Sequence, residues 1–172
     1  MQDNRNVTDE FKGVDITDII ERLDERGVEL QIAVENTLRD YNMGTIVRTA
    51  NAFGVRHIHV IGRRQWNKRG AMATDKYLHV HYHATADEFA DKMMGKTLVA
   101  IENNVESSAL ARTKLPANTV LIFGQEGPGI SPELLKKASR VVHIEQLGST
   151  RSLNVASAAA VAMYSWLQQN TL

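Results

Sequence analysis

Hydrophobic and polar positions along the 172 residues switch repeatedly between a helical and a strand period. Ile16, Ile19, Ile20 and Leu23 recur at helical spacing and predict a helix over Asp15–Arg26, with Gly27 as its stop. LQIAVE (Leu30–Glu35) reads as a first strand. In NMGTIVRTANAFG, Ile46, Val47, Ala50 and Phe53 share one helical face, and Gly54 ends it. HIHVIG (His57–Gly62) is a second strand, Ile58 and Val60 alternating with His57 and His59. After the loop GRRQWNKRG come a short strand near His79–Tyr82 and a helix near Ala86–Met93. TLVAIE (Thr97–Glu102) and TVLIFG (Thr119–Gly124) are apolar runs expected of fully buried strands, joined by a loop over Asn103–Asn118. SPELLKKA opens a helix with Ser131 as N-cap and Pro132 at its first position. RVVHIE (Arg140–Glu145) is a last strand and SLNVASAAAVAMYSWLQQ a last, alanine-rich helix. Strands alternating with helices predict an α/β protein with a mainly parallel sheet.

Composition narrows the class. There is no internal repeat or dividing linker, and the length suits a single domain. The absence of cysteine excludes disulfides, thiolate metal ligands and a cysteine nucleophile, and suits a reducing cytoplasm. No apolar run approaches the roughly 18–20 residues of a membrane span, and the polar, acidic start MQDNRNVTDEF is not a signal peptide. Net charge is zero, which by itself argues against a nucleic-acid partner, but the charge is unevenly spread. Residues 1–40 hold 11 acidic and 5 basic side chains, residues 41–80 hold 1 acidic and 7 basic, and residues 81–172 hold 8 of each. The positive segment contains Arg48, Arg56, Arg63, Arg64, Lys68, Arg69 and Lys76. It is either a phosphate-binding patch or a solvated loop facing the chain's own acidic start.

Three segments stand where α/β sheets collect ligands, after strands or at helix starts. In Asn42-Met-Gly44-Thr-Ile-Val-Arg48-Thr-Ala, Asn42 can cap the helix and Gly44 permits close approach, so an N-cap with a surface arginine is the bland reading. Phe123-Gly124-Gln-Glu126-Gly127-Pro128-Gly129-Ile130 forces a rigid turn that exposes backbone groups, either to read a ligand or only to join strand to helix. It lacks the Gly-Lys-Ser/Thr ending of a phosphate-binding P-loop. In Gln146-Leu-Gly-Ser-Thr-Arg-Ser152-Leu153-Asn154, Ser152 and Asn154 can orient a ligand, or Ser152 can simply cap the helix. His57/His59 and His79/His81/His83 have the H-x-H spacing of a metal-bearing strand face, but no acidic or cysteine partner has a matching spacing. Solvent-facing positions are therefore expected there, with no metal. Trp66 either stacks on a base or anchors its loop.

Taken together, NMGTIVRTA, FGQEGPGI and IEQLGSTRSLNV resemble, in order, the three motifs of the TrmH-like SPOUT methyltransferases: N-x-(G/S)-x-x-x-R-T-A, F-G-x-E-x-x-G-(I/L) and I-P-M-x-G-x-x-x-S-L-N-V. The likeness runs from about Leu30 to Leu167. It implies a six-stranded parallel sheet with helices on both faces and a C-terminal trefoil knot, a rare exception to the rule against knots. Residues 1–28 would form an N-terminal helical arm and 29–172 the methyltransferase domain. The implied activity is methyl transfer from S-adenosylmethionine to a ribose 2′-hydroxyl of transfer or ribosomal RNA, in a cytoplasmic homodimer with no membrane and no metal. The first motif of one subunit would complete the site of the other. RNA base methylation and a non-catalytic RNA-binding module are the alternatives.

By the same resemblance Arg48 matches the catalytic arginine, and Asn42, Glu126, Ser152 and Asn154 the other polar site positions. Cofactor positions fall on Ile101, Glu102, Phe123, Gly124, Glu126, Gly129, Ile144, Gln146, Ser152, Leu153 and Asn154, with Gly124, Ile144 and Leu153 acting largely through backbone groups. Arg63, Arg64, Lys68 and Arg69 are the expected RNA contacts. The chain departs from the pattern at Ile144-Glu145-Gln146, where the family usually has Ile-Pro-Met.

Overall fold

The computed structural model describes residues 7–36 and 42–172. Its elements are α1 (Ile16–Glu25), β1 (Gln31–Asn36), α2 (Asn42–Ala52), β2 (His57–Gly62), β3 (His79–His83), α3 (Ala86–Lys92), β4 (Thr97–Ile101), β5 (Ser108–Ala109), β6 (Thr119–Phe123), α4 (Pro132–Leu135), β7 (Arg140–His143) and α5 (Val155–Asn170). The described strands pair in parallel in the order β3-β2-β1-β6-β4-β7-β5. That makes seven strands rather than six. The extra one, β5, lies inside the expected loop Asn103–Asn118 and is two residues long, too short to show a period.

Side chains alternate across the sheet, as strand geometry requires. Ile32, Val34, Ile58, Val60, Val99, Leu121, Phe123 and Val142 face α2 and α5 and form the larger core with Ile46, Val47, Ala50, Ala159, Met163 and Trp166. Ala33, Ile61, Ala100, Val120 and Ile122 face α3 and α4, packing on Phe89, Met93 and Leu134. With both faces covered, β6 is buried along its whole length, which is why its sequence shows no alternation.

α1 lies on a third, small cluster of Phe11, Ile19 and Tyr77. Buried Arg56 ties it to the body: Nε donates to Asp24 Oδ1 at 2.7 Å and Nη2 donates to the Tyr77 carbonyl at 2.6 Å. Gly27 serves this contact. A Cβ there would overlap the Arg56 side chain, so glycine is needed for close approach rather than only as a helix stop. Arg56 is thereby withdrawn from the basic patch.

The strand histidines are not simply solvent-facing. His79, His57, His81, His59 and His83 stack in a zigzag along one face of β2 and β3, with successive ring centroids 4.9–5.2 Å apart. His57 Nδ1 and His81 Nε2 share a hydrogen bond at 3.0 Å, as do His59 Nδ1 and His83 Nε2. His59 and His83 are buried against Phe89. Burial, followed by the charges of His81, His83 and His57, pushes the His59 imidazole down from 6.5 to about 3. His57, His81 and His83 are lowered too, burial being the first cause in each. No group of three or more potential metal ligands assembles among the described residues.

These shifts set a pH dependence. The unfolded chain takes up protons near pH 6.5 that the folded ladder refuses, so stability is full above that value and is lost as pH falls toward 3. His59 alone contributes up to about 1.4 kcal/mol per pH unit in that window. Urea unfolding at pH 7.5 and pH 5 is expected to show the loss, with a shallower slope in His59→Phe.

Candidate functional site

At the carboxyl ends of β4, β6 and β7 a pocket opens. Ile101 and Glu102 come from the end of β4, Phe123, Gly124, Glu126 and Gly129 from the turn after β6, and Ile144 and Gln146 from the exit of β7. Ser152, Leu153 and Asn154 close it from the approach to α5. Every residue expected to hold the cofactor therefore lines this one cavity.

The turn after β6 owes its shape to two glycines. Gln125 N donates to Gly129 O at 3.1 Å and Gly129 N to Gln125 O at 3.0 Å, folding the backbone onto itself. A Cβ on Gly124 would overlap the carbonyl carbon of Gly129 and the nitrogen of Ile130. Gly129 has φ +72° and would drive a Cβ into the Glu102 carboxylate. Ser131 caps α4 as expected, its hydroxyl accepting from Leu134 N at 3.3 Å.

Glu102 is the chief residue whose part the sequence did not reveal. Its Oε2 accepts from Ile130 N at 3.0 Å, and its Oε1 accepts from Asn103 N at 2.9 Å and Asn104 N at 3.2 Å. One carboxylate thus holds two walls of the pocket. Asn103 Nδ2 donates to Arg151 O at 2.8 Å, tying the third wall to the first. Asn103, Asn104 and Gln125 also line the pocket and were not singled out, although their place directly after β4 and β6 was the available signal.

A second network joins the motifs. Asn42 Nδ2 donates to Glu126 Oε2 at 3.0 Å, while Asn154 Nδ2 donates to Asn42 Oδ1 at 2.9 Å. Asn154 Oδ1 in turn accepts from Ala156 N and Ser157 N and caps α5. The helix cap is therefore Asn154 rather than Ser152, which stays exposed on the pocket wall. Asn42 is the first residue of α2, and its side chain spans the two other motifs.

The basic loop sits beside this network. Asn36, buried at the end of β1, donates from Nδ2 to Arg63 O at 2.6 Å and Gln65 O at 3.1 Å. Its neighbour Glu35, on the opposite face of the strand, accepts from Ser131 N at 2.8 Å. Gly44 lets the loop lie on α2, since a Cβ there would come within 2.9 Å of the backbone of Asn67, Gly70 and Ala71. Trp66 is buried and anchors the loop, with the Lys68 ammonium 5.5 Å above its ring. Lys68 is paired to Asp75 at 2.8 Å, and Arg64 lies 4.8 Å over the Tyr82 ring. Arg63, Arg64 and Arg69 are exposed.

Arg48 is not brought into the pocket. It is exposed on α2, six residues beyond Asn42 and so on another face of the helix.

Comparison with known proteins identifies a family and similar folds. The model of the SpoU rRNA Methylase family matches residues 29–164. The tRNA (guanosine(18)-2′-O)-methyltransferase of Escherichia coli K12 is 26% identical over 151 residues, covering 85% of this chain and 66% of that protein, just under two thirds of its length. The TrmH/SpoU tRNA-modifying enzyme of Aquifex aeolicus superposes with a TM-score of 0.78 at 25% identity, covering 90% of this chain and 81% of that one. An rRNA methyltransferase from Sinorhizobium meliloti with AdoMet bound gives a TM-score of 0.73 at 25% identity, covering 83% and 57%.

Gly124→Ala tests the pocket's construction. The variant is expected to lose about 1–3 kcal/mol of stability through overpacking and to bind S-adenosylmethionine at least tenfold more weakly. Urea unfolding and calorimetric titration read the two effects separately.

Proposed function

Because this chain belongs to the SpoU rRNA Methylase family, we propose that it transfers the methyl group of S-adenosylmethionine to a ribose 2′-hydroxyl of transfer or ribosomal RNA. The observation that carries this reading is the Asn42–Glu126–Asn154 chain of hydrogen bonds, which joins all three motifs at the pocket. The pocket's residues fit the donor. Ile101, Phe123, Ile144 and Leu153 supply apolar surface for a purine, and the folded turn and the two carboxylates supply polar groups for the rest.

The bound donor supplies the methyl group on a sulfonium, so electrophile and leaving group arrive together. What remains for the protein is to place the 2′-oxygen in line and ease the loss of its proton. Ser152 and Asn154 orient the hydroxyl, and the Arg48 guanidinium stabilises the developing alkoxide. Arg63, Arg64 and Arg69 meet RNA phosphates, while Lys68, already paired to Asp75, contributes less.

The chain acts as a homodimer. Two features support this: Arg48 lies outside its own chain's pocket, and α5 exposes Val161 and Tyr164 beside a groove lined by Leu110, Ala111 and Ile144. Arg48 then serves the partner subunit's pocket, while Asn42 works in its own. The C-terminal segment threads the knot of the family. Its grip on residues 113–116 supports this, Trp166 Nε1 donating to Pro116 O at 2.8 Å and Leu115 N to Gln169 Oε1 at 2.8 Å. Residues 1–28 form an accessory arm outside the family match, and its described part, from residue 7 on, packs on the apolar cluster of Phe11, Ile19 and Tyr77. The described residues contain no helix long and apolar enough to cross a membrane, and the cytoplasm is the compartment this reading requires.

Incubation of the purified protein with S-adenosylmethionine and RNA from a deletion strain, followed by nucleoside mass spectrometry, is expected to yield one 2′-O-methyl nucleoside. A methylated base instead would overturn the ribose reading. Arg48→Ala is expected to lower kcat about 100-fold at saturating donor, and near-normal turnover would remove its role. Val161→Arg is expected to shift the protein to monomer in light scattering and to abolish methyl transfer.

A further inference from the structure

Gln146 occupies the position at which this chain departs from its family's usual methionine. It lines the pocket, and its Oε1 is shielded from solvent with no hydrogen-bond donor among the described residues. A buried amide oxygen left unpaired is costly, so its persistence calls for a partner that arrives later. Several other polar groups of the pocket are already engaged in the fold: Glu102 accepts from three backbone amides, one oxygen of Glu126 accepts from Asn42, and Asn154 caps α5.

We propose that Gln146 is a specificity-determining residue for the methyl donor, its side-chain oxygen accepting a hydrogen bond from the adenosyl moiety. The inference rests on the cofactor reading above and adds to it the residue that reads the nucleoside. The donor offers three kinds of hydrogen-bond donor to such an oxygen: the adenine amino group, the ribose hydroxyls and the ammonium of its methionine part. A neutral amide oxygen matches the neutral donors. The ammonium pairs more strongly with a carboxylate, and Glu126 supplies one in the same pocket. A methionine at 146 offers only a weak sulfur acceptor, so the family's usual residue leaves this contact unmade.

Gln146→Met keeps the length of the side chain and removes the acceptor. Calorimetry with S-adenosylhomocysteine, which carries the same adenosyl group and cannot turn over, reads the contact without RNA. The variant is expected to bind about tenfold more weakly than the natural protein, while its urea midpoint without ligand stays equal or rises because the unpaired oxygen is gone. With 5′-methylthioadenosine, which lacks the amino-acid part, the tenfold difference between the two proteins is expected to persist. Its disappearance would move the partner to the ammonium and overturn the adenosyl assignment. The N6,N6-dimethyl and 2′- or 3′-deoxy analogues of S-adenosylhomocysteine then identify the group. The analogue lacking the right donor binds the natural protein about tenfold more weakly and the variant no worse than the parent ligand does. Equal affinity of the two proteins for S-adenosylhomocysteine overturns the inference alone. No binding by the natural protein overturns the cofactor reading and the inference with it.

Discussion

Backbone amides in the glycine-rich turn after β6 have no neighbouring strand to pair with, and carboxylates at two strand ends accept them. Glu102, leaving β4, takes Ile130 N together with Asn103 N and Asn104 N, and Glu35, at the end of β1, takes Ser131 N. Without these acceptors a turn carrying Gly124, Gly127 and Gly129 would sample many conformations, because glycine restricts the backbone least. With them, the turn is fixed to the sheet on both sides. The pocket, the placement of Glu126 and the start of α4 all follow from that attachment. An acceptor that is ionised gives the stronger class of hydrogen bond, which suits a site built mainly from backbone.

The same strand end organises the other half of the site. Glu35 and Asn36 are adjacent and point to opposite faces, so one residue holds the pocket turn while the next holds the basic loop. The loop is further seated by Gly44 beneath it and by buried Trp66. The neutral net charge then stops being an argument against RNA. Arg56 is spent on α1 and Lys68 on Asp75, while Arg63, Arg64 and Arg69 remain exposed beside the motifs. Acidic residues of the arm serve the chain itself: Asp24 holds Arg56 and His79, and Glu10 holds Arg26.

The histidine ladder shows how a sheet edge can use polar residues as filling. Five imidazoles stack in register, His57 with His81 and His59 with His83 sharing hydrogen bonds while His79 pairs with Asp24, and burial lowers the pKa of His57, His59, His81 and His83. The H-x-H spacing is the same one a metal site would use, and the pairing of β2 with β3 stacks these rings against one another.

Periodicity and turn chemistry, read along the chain, determined the α/β class, the parallel sheet and nearly every element to within a few residues, because those depend on neighbours close in sequence. The three motifs likewise marked the pocket, whose expected cofactor residues all meet at one cavity. Tertiary structure alone decided what each polar side chain does there. Asn42 and Glu126 are 84 residues apart, and Asn154 is 112 from Asn42, so no local pattern signals that they touch. Ser152 yields the helix cap to Asn154, and Gly27 makes room for Arg56, for the same reason: the deciding contact comes from elsewhere in the chain. β5 escaped notice since two residues carry no period, and its strand identity comes wholly from pairing with β7. The position of Arg48 outside its own pocket is the clearest case. Its place in the first motif sets it six residues from Asn42, and only the fold shows that it lies exposed on α2 and outside the pocket that the other motif residues line.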